Sequence, residues 1–203
     1  MKTLASLAFA AALSAVALAP PTASAQAYPS KAIRLICPYA SGGATDIISR
    51  AVAVELSKTL GQTVNVDNRP GAGANLGSEM TARSAPDGYT LLTSASSLHG
   101  NAPFLYKKLS YVPNKDLAPV IVLAGYESTA WFGIAVPAGT PKDINARLNA
   151  DGQKATRSPE FVKRMTDLGY EIVGGTPEQM ASMIQDEYRR WGPIVNASGA
   201  KVD

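Results

Sequence analysis

The stretch Ala118–Pro141, APVIVLAGYESTAWFGIAVPAGTP, decides the fold. It reads as two apolar, β-prone runs joined by the short linker Gly125 to Thr129. Such a pattern is either a hairpin or the junction where a larger segment belongs. What lies on each side of it chooses the architecture.

On the N-terminal side, strands alternate with helices. The run AIRLIC (Ala32 to Cys37) is a short apolar strand, followed by the turn PYASGGATD and a helix with Ile48, Val52, Leu56 and Leu60 every four residues. That helix should stop at Gly61. A second strand, TVNVDN, leads into the glycine-rich turn RPGAGAN and a short helix from Leu76 to Ser84, ended by APDG; YTLLTS (Tyr89 to Ser94) is a third strand. This order implies an α/β fold with a mostly parallel sheet and helices on both faces.

The C-terminal side is helical. Thr140-Pro141, Ser158-Pro159 and Thr176-Pro177 each place a hydroxyl N-cap before a proline at the first helical position, and Thr176 with Gln179 forms a capping box. The last helix carries Met180, Met183, Ile184, Tyr188, Trp191 and Val195 on one stripe, broken by Glu187. That stripe is expected to cover the sheet, with Pro193 kinking or tightening the final turns.

Composition removes several function classes. The chain has 203 residues and a net charge of +3, with no basic run interleaved with aromatics, so no nucleic-acid partner is expected. The first 25 residues combine Lys2, an apolar run from Leu4 to Ala19 and an Ala-x-Ala site at Ala23 and Ala25. They read as a secretory signal cleaved after Ala25, and the run is too short for a membrane anchor. The remainder, residues 26–203, is the size of one domain. The single cysteine, Cys37, sits in the first strand pattern and is expected to be buried and inert.

The candidate chemistry lies in the glycine-rich turns. In a parallel sheet the turns after the strands gather along one edge, where ligands bind in open α/β folds. Ser41, Gly42 and Gly43 run straight into a helix whose first N–H groups lack partners. Those amides and the helix dipole suit a carboxylate or phosphate, although glycines there equally permit a tight turn with no ligand. Asp46 would repel an anion, so it is assigned to capping the helix or ordering the loop. The second turn carries Gly71, Gly73 and Gly77, with Asn75 offering a side-chain amide, but its G-x-G-x-x-x-G spacing departs from the dinucleotide fingerprint. Hydroxyls at Thr93, Ser94, Ser96 and Ser97 would complete a rim rich in donors and poor in charge. That rim suits a small organic acid.

Catalysis is not expected. His99 is the only histidine, and no G-x-S-x-G elbow, cysteine–histidine metal cluster or spaced carboxylate pair accompanies it. No cofactor or metal is expected either. A hydrolase using Ser96 or His99, and a scaffold whose glycine turns are only turns, are the competing readings.

The segment YPSKAIRLICPYASGGATDIISRAVAVELSKTLGQTVNVDNRPGAGANLGSEMTARSAPDGYTLL resembles the first lobe of the tripartite tricarboxylate transporter substrate-binding proteins, the Bug family. WFGIAVPAGTPKDINARLN, LGYEIVGGTPEQM and the helix containing Trp191 resemble its C-terminal segment, in the same order. The resemblance implies a lobe like those of type II periplasmic binding proteins, in a receptor that hands carboxylates to a membrane permease. It also implies that Tyr39, Ala40, Ser41, Gly42, Gly43 and Asp46, with Gly73, Ala74 and Asn75, hold the carboxylate through backbone N–H groups and water. Thr93 and Ser94 join this candidate site from the rim. In the family a second lobe follows the strand LAPVIVLA, whereas Ala124 here runs directly into Gly125. The resemblance therefore reads the opening stretch as a junction, with residues 26–124 and 125–203 forming one lobe. Ala74 stands where the family commonly has glycine.

Overall fold

The computed structural model describes residues 27–126 and 130–202. The expected signal segment, its cleavage after Ala25 and residues 127–129 of the linker lie outside them.

β1 (Ile33–Cys37) leads into α1 (Ala44–Leu60), which ends at Gly61 in the left-handed conformation with its amide donating to Ser57. β2 (Val64–Asn68) is followed by a 3-10 turn (Ala72–Ala74), α2 (Asn75–Ala82) and β3 (Thr90–Ala95). Three short helices come next: α3 (Ser96–Gly100), α4 (Ala102–Leu105) and α5 (Pro113–Asp116). With one turn or little more each, they carry no helical periodicity for sequence reading to detect. β4 (Leu117–Tyr126) and β5 (Ala130–Pro137) precede α6 (Lys142–Thr156), α7 (Pro159–Asp167), β6 (Glu171–Gly174) and α8 (Pro177–Ser198).

The six strands form one sheet in the order β2-β1-β3-β5-β4-β6. β1 pairs in parallel with β2 and β3, while the β3–β5, β4–β5 and β4–β6 pairings are antiparallel. The α/β class and the helices on both faces are as expected, but the sheet is mixed rather than mostly parallel. The reason lies in the opening stretch: β4 and β5 pair from Leu117↔Pro137 to Tyr126↔Ala130, so the direct link at Gly125 makes a hairpin. A hairpin reverses the chain, whereas a parallel neighbour needs a crossover of a dozen or more residues.

Each strand alternates its side chains between two helical layers. Ile33, Leu35, Leu91, Ile121, Leu123 and Ile134 pack under α1, α6 and α7 with Ile48, Leu56, Leu148 and Phe161. On the opposite face Ile36, Leu92 and Ala135 meet Leu98 and Tyr111, and Val122 and Trp131 meet Met180 and Ile184 of α8. The stripe on the last helix covers the sheet as expected, and Glu187 within it is buried and accepts a hydrogen bond from Trp191 Nε1 at 2.8 Å. α8 continues through Pro193 to Ser198. Ser158 caps α7 and Thr176–Gln179 closes a capping box on α8. Thr140 does not cap α6: its hydroxyl donates to the Pro137 carbonyl, and Pro141 takes the N-cap position. Cys37 is buried, and burial raises its pKa, which keeps the thiol protonated.

α8 packs tightly on β5 at Gly133. A Cβ there would lie 2.7 Å from the Ile121 carbonyl oxygen and 2.9 Å from Met180 Cε. Gly133→Ala should therefore lower unfolding stability by about 2 kcal/mol, read as a shift in urea midpoint with an unchanged slope.

Candidate functional site

The parallel half of the sheet places the ends of β1, β2 and β3 along one edge, and two loops meet there. The first runs from Pro38 to Gly43, with Gly42 at φ +86. Gly43 sits at the N-cap of α1 and no side chain caps that helix, so its leading amides stay free of side-chain partners. Asp46, in the first turn and almost fully buried, folds back instead. Its carboxylate accepts from the Gly42 amide at 2.9 Å, Arg50 Nε at 2.9 Å, Asn68 Nδ2 at 2.8 Å and the Ser41 hydroxyl at 3.3 Å. Burial alone would raise its pKa. The hydrogen bonds from Arg50, Gly42 and Asn68 and the Arg50 charge outweigh that and hold it at about 2. Asp46 thus orders the loop, and its charge is compensated in place.

The second loop winds through four consecutive positive-φ residues: Gly71 (143°), Ala72 (46°), Gly73 (59°) and Ala74 (80°). Ala72 and Ala74 are strained there, because a Cβ disfavours the left-handed region. Asn75 locks the turn from within. Its amide donates to the Ala72 carbonyl at 2.7 Å and its oxygen accepts from the Tyr111 hydroxyl at 3.0 Å. The loops touch at Gly77, where a Cβ would lie 2.9 Å from the Arg69 carbonyl and 3.0 Å from Pro38. Close approach is what requires glycine at that position.

A cleft of about 330 Å³ opens on the first loop, walled by Tyr39, Thr45, Ser96, Ser97, Trp131 and Trp191. The Tyr39 and Ser97 hydroxyls lie 3.4 Å apart across it. Among the described residues that line it, none is charged. The groups it presents are hydroxyls and rings, beside the start of α1.

The structure separates the expected site residues into groups. Tyr39 is in the cleft wall, and Ala40, Ser41, Gly42 and Gly43 are exposed on the loop beside it. Gly73 is exposed but does not line the cleft; Ala74 and Asn75 are buried, and the Asn75 amide is turned inward rather than offered to a ligand. Thr93 and Ser94 are fully buried and leave the rim. Thr93 shares a hydrogen bond with Ser49 of α1 at 2.7 Å, and Ser94 one with His99 Nε2 at 2.8 Å. Period-two alternation put them on β3, but not the helices that seal both faces of its end. Thr45, Trp131 and Trp191 were missed as site residues, because sequence-distant segments converge only in the folded chain.

His99 is a core residue, 1% exposed, and bridges Ser94 to Asn114, whose Oδ1 lies 2.6 Å from Nδ1. An Asn oxygen can only accept, so Nδ1 carries the proton and Nε2 accepts from Ser94. The chain Ser–His–Asn has the connectivity of a nucleophile, base and orienting group. Ser94, at 0% exposure, gives no substrate access to it. His99 also stacks on Trp131, ring centroids 5.8 Å apart, and so supports the cleft wall.

The fold is like that of periplasmic binding proteins, and solved structures superpose on it. MatC from Rhodopseudomonas palustris, solved with bound malate, matches with a TM-score of 0.76 at 22% identity, over 83% of this chain and 100% of that one. A second protein of that organism, solved with adipate, matches with a TM-score of 0.79 at 19% identity, over 86% of this chain and 100% of that one. The family model "Tripartite tricarboxylate transporter family receptor" matches residues 48–129 and 121–200, two segments that meet in the β4–β5 hairpin. The chain belongs to this family, whose proteins are substrate-binding receptors. The UPF0065 protein in the gbd 5' region of Cupriavidus necator is 46% identical over 134 residues, which is 65% of this chain and 39% of that protein. A UPF0065 protein of Pseudomonas sp. (strain P51) is 22% identical over 311 positions, covering 90% of this chain and 92% of that protein. Since this chain has 203 residues, that alignment contains a domain-sized stretch with no counterpart here.

Two outcomes follow for the site. Asp46→Ala should cost about 2 kcal/mol, since Gly42, Asn68 and Arg50 lose their shared charged acceptor at once, and the loop amides should lose hydrogen-exchange protection. His99, held by burial at a pKa of about 4, leaves the native state short of a proton that the unfolded chain takes up below about pH 6.5. Its contribution to stability should be full above that pH and fall by about 3 kcal/mol as pH drops to 4, a slope that His99→Gln removes.

Proposed function

We propose that this protein is a periplasmic receptor lobe that captures small organic carboxylates for a tripartite tricarboxylate-type membrane permease. The observation that carries the reading is the uncapped start of α1 behind the Gly42–Gly43 loop, opening beside a hydroxyl-lined cleft without charged walls. Amides at a helix N-terminus favour an anion, and Asp46 is already neutralised by Arg50 and so does not oppose it. Malate and adipate in the related structures belong to the ligand class that such donors suit. Residues 1–25, read as a cleaved signal, would deliver the chain to the periplasm.

The opening stretch is then a junction, with residues 26–124 and 125–203 forming one lobe where relatives carry two. The two-segment family match meeting in the β4–β5 hairpin and the unmatched stretch of the Pseudomonas relative support this. A two-lobed receptor buries its ligand by closing, and one lobe offers half of that enclosure. Affinity for a carboxylate should accordingly lie near millimolar rather than micromolar, a loss of about 4 kcal/mol.

The test is thermal unfolding of residues 26–203 with mono-, di- and tricarboxylates. At ten times its dissociation constant a bound acid should raise the midpoint by about 3 to 6 °C, and Gly43→Glu, which sets a carboxylate at the anion position, should abolish the shift. A cooperative transition that no acid moves would overturn receptor function. A micromolar constant would overturn the half-site.

A further inference from the structure

A cavity of about 520 Å³, larger than the cleft, lies between α8 and the segment running from α4 through α5. None of residues 38–46 or 71–75 lines it. Its walls are the rings of Tyr106, Tyr111 and Tyr188, closed by Leu109 and by Pro103 and Pro113, whose fixed backbones limit collapse. The Tyr188 ring is held in place by Phe104, with centroids 4.6 Å apart.

The polar groups facing this cavity carry one sign of charge. Lys115 and Lys107 line it, and among the described residues that line it there is no Asp or Glu. The nearest carboxylate on α5, Asp116, is turned onto the backbone amide of Val112 at 2.7 Å. Asn114 is committed elsewhere, its oxygen to His99 Nδ1 and its amide to the His99 carbonyl. The groups left to orient a ligand are the Lys115 ammonium, the Gln185 amide and the Tyr188 phenol.

We propose that this pocket is a second ligand site, distinct from the cleft, that takes aromatic monocarboxylates. Tyr106 and Tyr188 both line the cavity, and offset or edge-to-face contacts with their rings favour an aromatic ligand. The carboxylate pairs with Lys115 at the mouth, where exposure leaves its charge free to steer an anion. The volume matches a small-molecule pocket, and apolar walls with a few placed polar groups are what such pockets require. The small aliphatic di- and tricarboxylates expected in the cleft lack a ring to set against these tyrosines.

The site is tested by isothermal titration of the purified protein with 1-naphthoate. Binding should be saturable, and Lys115→Gln and Tyr188→Ala should each weaken it about tenfold, while Lys115→Arg restores it. Both positions are exposed, and circular dichroism confirms that the variants fold. Ser97→Ala and saturating malate, which act in the cleft, should leave the affinity unchanged. Absence of saturable binding up to millimolar naphthoate, equal binding by the Lys115→Gln and Tyr188→Ala variants, or displacement by malate would each overturn the second site. The first two outcomes do not bear on whether the cleft binds malate, whereas displacement by malate would place the naphthoate in the cleft.

Discussion

The buried carboxylate of Asp46 is the interaction on which the ligand-facing edge depends. It joins three parts that the chain supplies separately: the loop after β1 through Ser41 and Gly42, α1 through Arg50, and the end of β2 through Asn68. A buried charge is costly unless its lone pairs are filled, and here four donors fill them. The same arrangement explains how an acidic residue sits in the first turn of a helix proposed to receive anions. Its charge is spent on the loop, so the helix amides remain for something else.

The second constraint is the β4–β5 hairpin. It carries the chain across the middle of the sheet and reverses it, so the antiparallel half is assembled without a crossover. Both faces of these strands are covered, by α6 and α7 on one side and by α8 on the other. A lobe whose central strands are sealed in this way has a continuous core of its own, and nothing in that core waits for a second lobe. Ligand enclosure is different. In the proposed half-site reading it needs a second, facing surface.

The strand and helix pattern was legible because both signals are local. Short strand-like runs between turn signals marked β1, β2 and β3, the four-residue spacing of Ile48, Val52, Leu56 and Leu60 marked α1, and Thr176 with Gln179 marked the start of α8. Thr140 failed as a cap because its hydroxyl had a nearer acceptor in the Pro137 carbonyl, a choice that only the folded turn makes. β6 and the helices α3 to α5 escaped notice because each is too short to carry a period. Strand direction escaped as well, since hydrophobicity does not state which neighbour a strand finds. Tyr39 lines the cleft and Ala40 to Gly43 are exposed beside it, whereas Thr93, Ser94 and Asn75, expected around the same site, are buried.

By itself, the sequence determined the α/β class, the glycine-rich loop at the start of α1 and the buried stripe of α8, because spacing and local backbone preference specify each of these, while the family was legible as a resemblance along two segments. The tertiary structure alone decided which polar groups face outward. Thr93 and Ser94 lie only a few residues before the exposed Ser97, yet Ser49 and His99 claim them inside the core. Trp131 and Trp191, far apart in sequence, meet in one cleft wall. A polar side chain's role depends on whether a partner or water reaches it first, and that is settled by packing between distant segments.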